Sequence, residues 1–251
     1  MEVNYYKEYS KNLNRDMEFK VYGHGGRPCL VFPSQDGKFY DYENQGMIEA
    51  AKEFIDSGRI QIFCIDSIDK ESWSSTHWDN RKRIENHEAY YRYVCDEVVP
   101  RIFDINASYN NNNYANGIVT TGCSMGATHA LNFFLKRPDI FDGVIALSGV
   151  YNATYFFGNY SDDLVYANSP IQFLQNMPND YYYIDLYRQR QIIVCVGQGA
   201  WEEPMIYDTG KIKQLLEYKN VPAWIDFWGH DVNHDWPWWR VQLPYYLNHI
   251  C

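Results

Sequence analysis

The sequence predicts an α/β domain with a mostly parallel central sheet, an antiparallel amino-terminal edge and helices on both faces. Three observations lead to this prediction. Apolar runs rich in β-branched residues recur along the chain and are bounded by turn residues, as in buried strands. Segments of helical periodicity separate these runs, and such alternation requires crossover connections between parallel strands. The chain has 251 residues, of which 46% are hydrophobic, enough for one core of this architecture.

Seven strands and five helices are predicted in this alternating order. The predicted strands cover residues 17–22, 29–32, 60–65, 117–121, 144–148, 192–196 and 223–228. The predicted helices cover residues 47–56, 84–103, 125–136, 209–218 and 237–248. Only six residues, 23–28, separate the first two strands. A connection of that length is typical of a hairpin, so we expect these two strands to pair antiparallel and to begin the sheet.

One segment interrupts the regular alternation of strands and helices. Residues 151–190 contain aromatic clusters and short helical pieces but no strand, over a length that exceeds an ordinary connection. We therefore expect a single domain over residues 1–251, with a lid or pocket wall inserted at about 151–190. The asparagine-rich segment 110–114 is predicted to be a polar loop within this domain.

The composition argues against several kinds of partner. The formal net charge is −10 and no long run of Lys or Arg occurs, which disfavours nucleic acid. No stretch of about 18 apolar residues is present, so we expect no membrane span. The amino terminus lacks the basic start and apolar run of a secretory signal peptide, which predicts a cytoplasmic protein. A homo-oligomer is compatible with the sequence.

No sequence pattern points to a metal or a cofactor. The six cysteines are scattered without a Cys-x-x-Cys pair, which predicts reduced thiols rather than disulfides or a zinc site. The glycine-rich segment 23–26 lacks the strand-to-helix context of a dinucleotide-binding loop. We therefore expect neither a metal nor an organic cofactor.

The main functional signal is Gly122-Cys123-Ser124-Met125-Gly126, which matches G-x-S-x-G. The segment follows a predicted strand and opens a predicted helix, which is the context of the nucleophile elbow of α/β-hydrolases. The two glycines leave room for a strained turn that exposes the serine hydroxyl. The following helix amino terminus stabilises developing negative charge. Ser124 is therefore the predicted nucleophile.

A serine hydroxyl needs a base, and in this fold the acid and then the histidine follow the nucleophile along the chain. Of the four downstream histidines, His129 falls inside the helix after the elbow and His249 near the end of the last helix. His230 and His234 lie in the loop after the last predicted strand, from which a side chain can reach the carboxyl edge of the sheet. By position, both qualify as the base.

The acid is expected near the loop 197–203, which follows the predicted strand 192–196. A carboxylate there can accept the imidazole N–H, fix its tautomer and stabilise the imidazolium. Glu202 and Glu203 lie in this loop, and Asp208 follows a little further on. Each of the three is a candidate.

The elbow and the late segment His234-Asp235-Trp236-Pro237-Trp238-Trp239 together resemble the esterase family of α/β-hydrolases, which includes esterase D, feruloyl esterases and mycobacterial mycolyltransferases. The resemblance covers the chain from about Arg27 to the carboxyl terminus. It implies that His234, which precedes the tryptophans, is the base. It also implies that Glu202, a few residues beyond a glycine at a strand end, is the acid.

An oxyanion hole needs two N–H donors near the nucleophile. One is the backbone N–H of Met125, the residue after Ser124. The other is expected in the loop 33–37, where Gln35 matches best by position. Many relatives carry His-Gly where this chain has Pro33-Ser34, so the loop departs from the family's pattern.

These residues predict a serine hydrolase that cleaves a small-molecule carboxylic ester through an acyl-enzyme. The alternatives are an acyltransferase with the same triad and a non-catalytic binding protein on the same scaffold. Aromatic residues make up 18% of the chain, and rings at the carboxyl edge of a sheet can stack on a sugar or aryl ester. Trp73, Trp201 and Tyr151 are predicted to contact the substrate, with Trp78 nearby.

Overall fold

Eight strands form one sheet in the computed structural model, which describes residues 1–251. The strands are β1 (Val3–Ser10), β2 (Arg15–Tyr22), β3 (Arg27–Phe32), β4 (Ile60–Ile65), β5 (Ile118–Cys123), β6 (Phe141–Leu147), β7 (Gln191–Val196) and β8 (Trp224–Phe227). Their order is β1-β2-β4-β3-β5-β6-β7-β8. The pairs β1/β2 and β2/β4 are antiparallel, and all other pairs are parallel. The predicted mostly parallel sheet with an antiparallel amino-terminal edge is confirmed.

The strands that form the antiparallel edge differ from the expected hairpin. β2 pairs with β1 and β4, whereas β3 lies between β4 and β5, so the expected pairing of 17–22 with 29–32 is wrong. β3 is buried at five of its six positions, and such a continuous apolar run is typical of an interior strand covered on both faces. β1 is not among the predicted strands, because nearly all of its side chains are partly or fully exposed and it contains no apolar run.

Twelve α-helices connect and cover the strands. They are α1 (Asp41–Asn44), α2 (Met47–Ala50), α3 (Lys52–Asp56), α4 (Asn80–Tyr93), α5 (Val99–Tyr109), α6 (Met125–Lys136), α7 (Thr154–Phe157), α8 (Asp163–Ala167), α9 (Pro170–Asn176), α10 (Tyr182–Tyr187), α11 (Glu203–Tyr218) and α12 (Trp236–Ile250). A π-helical segment, Val94–Val98, joins α4 to α5, and a short 3₁₀ helix covers Asp69–Glu71. The predicted helix 125–136 coincides with α6, whereas the predicted helix 47–56 is two short helices.

The helices form a layer on each face of the sheet. The larger core lies on the face covered by α4, α5, α6 and α11, where Phe133 and Ile212 are fully buried. The smaller core lies on the face covered by α1–α3 and α12, where Met47 and Leu243 are buried. Both faces of the parallel strands are therefore apolar, as the crossover topology requires.

The segment 151–190 contains α7, α8, α9 and α10 and packs on the larger core through buried side chains such as Leu174 and Ile184. Its start at Tyr151 lies four residues after Leu147, the last residue of β6, so the segment begins near the carboxyl edge of the sheet. None of the helices in the molecule combines the length and apolar character needed to cross a bilayer.

Candidate active site

Ser124 lies in a sharp turn between β5 and α6. Its backbone has φ 56° and ψ −123°, a region that serine rarely adopts and that costs on the order of 1–3 kcal/mol. The Ser124 N–H donates to Leu147 O of the neighbouring strand at 2.9 Å, which fixes the turn against the sheet. The strained turn lifts the hydroxyl out of the sheet at the amino terminus of α6, which is the geometry of a nucleophile elbow.

The glycines on either side of Ser124 are required by close backbone contacts. A Cβ on Gly122 would lie 2.4 Å from the carbonyl carbon of Gly126. A Cβ on Gly126 would lie 2.3 Å from Phe32 O. Real Cβ atoms do not approach other atoms this closely, so any other residue would push β3, β5 and α6 apart.

We expect Gly126→Ala to lower the free energy of unfolding by about 1–3 kcal/mol, because the added methyl group overlaps the backbone of β3. Denaturant unfolding measures this change. The matched control is Gly210→Ala in α11, where an added Cβ meets nothing within 4 Å. That substitution should stabilise the protein by about 0.5–1 kcal/mol, because alanine favours helix. A similar effect of both substitutions would contradict the contact argument.

A chain of hydrogen bonds links Ser124, His234 and Glu202. His234 Nε2 lies 2.8 Å from Ser124 Oγ, and His234 Nδ1 lies 3.3 Å from Glu202 Oε2. If Nδ1 carries the proton, it donates to the carboxylate and leaves Nε2 free to accept the serine proton. Glu202 is 0% exposed. The structure therefore brings together the three residues that the sequence singles out as nucleophile, base and acid.

The loops that carry His234 and Glu202 are held together by backbone hydrogen bonds. The Gly199 N–H donates to Val232 O at 2.8 Å, and the His234 N–H donates to Ala200 O at 3.0 Å. A Cβ on Gly199 would lie 2.8 Å from the carbonyl carbon of Val232, so the backbones of the two loops approach too closely for any other residue there. This pairing fixes the carboxylate and the imidazole relative to each other.

The other candidates for base and acid lie elsewhere. His230 and His249 are exposed, and His129 is buried in α6 with its Nε2 2.9 Å from Asp69 Oδ1. Glu203 is exposed at the start of α11. Asp208 is buried and accepts the backbone N–H groups of residues 151 and 152, and burial raises its pKa. None of these side chains hydrogen-bonds to His234.

The two predicted oxyanion donors, the backbone N–H groups of Met125 and Gln35, belong to residues that line the cleft beside Ser124. Met125 follows Ser124, and Gln35 lies in a turn closed by the hydrogen bond from the Gly37 N–H to Ser34 O at 2.9 Å. Neither the Met125 N–H nor the Gln35 N–H donates to another protein group. Both residues line the cleft that contains Ser124 and His234, so both donors are available to an oxygen bound there.

The cleft above Ser124 has a volume of about 220 Å³. Besides Ser124, His234 and the two residues with free N–H groups, it is lined by Thr128, Ser148, Val150, Tyr155, Phe156, Trp201 and Met205. No Asp, Glu, Lys or Arg side chain lines it. The cleft is therefore small and free of permanently charged side chains, and it combines apolar side chains with the hydroxyl groups of Thr128 and Ser148. No group of three or more His, Cys, Asp or Glu side chains is arranged to hold a metal ion.

The structure corrects part of the predicted substrate-contacting set. Trp201 lines the cleft and is 73% exposed, as expected for a ring at its mouth. Tyr151 is 0% exposed and Trp73 is 2% exposed, so neither ring can touch a ligand in the cleft. Trp73 packs edge-on against Phe156, which does line the cleft, and so supports the wall from behind. Trp78 is exposed but does not line the cleft.

Several residues of the site carry no motif in the sequence. Tyr155 and Phe156 of the segment 151–190 form part of the cleft wall. Ser148 donates from its hydroxyl to Glu202 Oε1 at 2.7 Å. The indole ring of Trp239 lies edge-on to the imidazole of His234, with the ring centroids 4.9 Å apart. For Ser148 the only available signal was its position at the end of the predicted strand 144–148, and Trp239 belongs to the tryptophan segment on which the family resemblance rests.

The comparisons with known proteins agree with this geometry. The family model Esterase, described as putative esterase, matches residues 10–250. No curated protein sequence matches the chain significantly.

Solved structures share the fold at low sequence identity. A ferulic acid esterase is 16% identical with a TM-score of 0.73, over 99% of this chain and 97% of its own. The S-formylglutathione hydrolase of Staphylococcus aureus is 14% identical with a TM-score of 0.66, over 99% and 96%. MPT51 of Mycobacterium tuberculosis is 16% identical with a TM-score of 0.61, over 98% and 97%. At such identities the likeness establishes the α/β-hydrolase fold.

Proposed function

This chain belongs to the putative esterase family of carboxylic ester hydrolases, and we propose that it cleaves its substrate through a covalent acyl intermediate on Ser124. One observation carries the proposal: His234 Nε2 lies 2.8 Å from Ser124 Oγ while its Nδ1 faces the buried Glu202 carboxylate. A base within hydrogen-bonding distance of a strained, cleft-facing serine, and itself oriented by a carboxylate, is the arrangement that activates a serine nucleophile.

In the proposed acylation step, Ser124 Oγ attacks the ester carbonyl carbon and His234 Nε2 takes the hydroxyl proton. The carbonyl oxygen becomes an oxyanion that accepts the N–H groups of Met125 and Gln35. Glu202 stabilises the imidazolium and holds its Nδ1–H in place. When the tetrahedral intermediate collapses, the C–O bond to the leaving alcohol breaks and Nε2 returns the proton to that alcohol.

Deacylation repeats the same chemistry with water. His234 Nε2 takes a proton from a water molecule, whose oxygen attacks the acyl carbon. The second tetrahedral intermediate expels Ser124 Oγ, which regains its proton from Nε2, and the carboxylic acid leaves. An acyltransferase would use an alcohol in place of this water, so product analysis in the presence of added alcohols distinguishes the two activities.

The cleft supports an uncharged small-molecule ester as substrate. Its walls carry aromatic, aliphatic and hydroxyl side chains but no Asp, Glu, Lys or Arg, and His234 is the only basic group. A carboxylate or phosphate on the substrate would lose its hydration there without gaining a countercharge. The exposed rings of Trp201 and Tyr155 lie at the mouth of the cleft and can stack on an aryl group or a sugar face.

We expect Trp201→Ala to lower kcat/KM for aryl esters about 3- to 10-fold relative to acetyl esters, because the stacking surface at the mouth is lost. Steady-state kinetics on paired aryl and acetyl esters of one alcohol measure the ratio. The matched control is Trp78→Ala, which removes another exposed indole outside the cleft and should leave the ratio unchanged. An unchanged ratio in Trp201→Ala would remove this ring from the proposed substrate site.

The proposal as a whole is tested by a fluorophosphonate probe and a panel of esters on the purified wild-type protein. An activated serine reacts covalently with the probe, and mass spectrometry identifies the modified residue. Labelling of Ser124 together with ester turnover supports the proposal. If the protein shows no labelling and no turnover at neutral pH, the result instead favours a binding protein on a hydrolase scaffold.

We also propose that the chain works in a reducing compartment, the cytoplasm. All six cysteines are free, and five of them are buried. Burial raises the pKa of Cys95 to about 11, which keeps this thiol protonated and unreactive. Immunodetection after cell fractionation tests the location, and recovery of the chain from the secreted fraction would contradict it.

A further inference from the structure

Two serines lie side by side at the carboxyl edge of the sheet. β5 and β6 pair in parallel with Cys123 opposite Leu147, so Ser124 and Ser148 follow at the same level. Their φ angles are 56° and 60°, and each N–H extends the ladder by donating to the next strand, with Ser148 N donating to Cys195 O at 2.8 Å. Strain at Ser124 serves the elbow, but the elbow does not account for strain at Ser148.

The positive φ of Ser148 accompanies a specific hydrogen bond. Its hydroxyl donates to Glu202 Oε1 at 2.7 Å, while Glu202 Oε2 faces His234 Nδ1 at 3.3 Å. The carboxylate is fully buried, and a buried carboxylate oxygen without a partner costs more than its hydrogen bond would contribute. The Ser148 hydroxyl satisfies one oxygen and so leaves the other for the imidazole.

Trp239 contacts both Ser148 and His234. Its indole Nε1 lies 3.4 Å from Ser148 Oγ, and an indole N–H can only donate. The Ser148 hydroxyl therefore accepts from Trp239 and directs its own proton to Glu202. The same indole ring packs edge-on against His234, with an angle of 87° between the ring planes. One tryptophan thus contacts both the imidazole and the serine that holds the acid.

We propose that Ser148 is a positioning residue of the reaction, whose hydroxyl fixes the Glu202 carboxylate so that Oε2 orients His234. This inference rests on the proposed function and assigns Ser148 no contact with the reacting atoms. Its effect reaches Ser124 only through Glu202 and His234. It therefore concerns the rate of the chemical steps more than the binding of substrate.

We expect Ser148→Ala to lower kcat about 10-fold or more and to change KM less than about 2-fold. A loss of this size is typical when a hydrogen-bond partner that orients an active-site side chain is removed. Ser148→Gly provides the second variant, because glycine adopts positive φ without strain but also lacks the hydroxyl. A loss in both variants assigns the effect to the hydroxyl. Wild-type kcat in Ser148→Gly would overturn the proposal, because the hydroxyl would then be dispensable.

The matched control is Ser10→Ala. Ser10 is also fully buried and also donates to a glutamate, with its Oγ 3.2 Å from Glu97 Oε1, but it lies at the end of the edge strand β1. Its loss should leave kcat unchanged whatever it does to stability. If Ser10→Ala lowers kcat as much as Ser148→Ala, the effect of Ser148 is a general consequence of destabilisation and the proposal is wrong.

A double-mutant cycle shows whether Ser148 acts through the carboxylate. In a Glu202→Ala background, Ser148→Ala should change kcat less than about 2-fold, because the group it positions is gone. A full 10-fold loss in that background would overturn the proposal. Failure of the proposed function is distinguishable, because wild-type protein would then neither hydrolyse esters nor react with a fluorophosphonate at Ser124.

Discussion

Ser124→Ala is expected to lower kcat by at least about a thousandfold on the best ester while the protein still folds. The substitution removes a single oxygen, whose hydrogen bond is to His234, and leaves the backbone hydrogen bond to Leu147 in place. A thousandfold loss corresponds to about 4 kcal/mol of transition-state stabilisation. Steady-state kinetics measure the loss, and denaturant unfolding shows that the fold is retained.

Fluorophosphonate labelling provides a second measurement on the same variant. The probe should modify wild-type protein and Ser10→Ala but not Ser124→Ala, because only the first two retain the hydroxyl in the turn before α6. If Ser124→Ala kept more than about a tenth of the wild-type rate, or if the probe labelled another residue, the nucleophile would lie elsewhere in the chain.

The elbow could be predicted from the sequence because its physical requirements are local. Five consecutive residues specify the turn, and the flanking strand and helix are recognisable by their periodicity. Gly122 and Gly126 are needed for contacts with the backbone of β3 and of the elbow itself, which the sequence alone does not show. The conformational requirement of the turn is therefore visible in the sequence, whereas its packing requirement is visible only in the structure.

For the proposed base and acid, position along the chain predicted only the loops that carry them. Both His230 and His234 lie after β8, so position did not decide which of them is the base. Glu202, Glu203 and Asp208 all lie after β7, so position did not decide which of them is the acid. The hydrogen bonds between the two loops decide the geometry, and these depend on contacts between residues more than thirty positions apart. The family resemblance chose the pair that the structure brings together.

Sequence periodicity does not predict whether an aromatic ring lies in the cleft or in the core. Tyr151, Trp73 and Trp201 all follow strands at the carboxyl edge, yet only Trp201 reaches the cleft. Whether a ring points into a cleft or into a core depends on how the segment 151–190 packs on α4 and α6. No local pattern encodes this packing, and the general tendency of aromatic rings to be buried was the better guide for two of the three.

The His234→Ala variant is expected to lose about as much activity as Ser124→Ala, because the residues of a catalytic unit fail together. Without the imidazole no side chain within hydrogen-bonding distance of Ser124 Oγ can take its proton. The double variant Ser124→Ala/His234→Ala should be no slower than either single variant. Steady-state kinetics on one ester for all three proteins measure these losses.

His230→Ala is the matched control for this experiment, because it removes an imidazole four residues away in the same loop. His230 is exposed and does not line the cleft, so its loss should change kcat less than about 2-fold. The comparison separates loss of the base from disturbance of the loop, since both substitutions leave the backbone bond from residue 234 to Ala200 O available. A larger loss for His230→Ala than for His234→Ala would reverse the assignment. Equal and small losses would mean that the hydrogen bond at 2.8 Å does not activate Ser124.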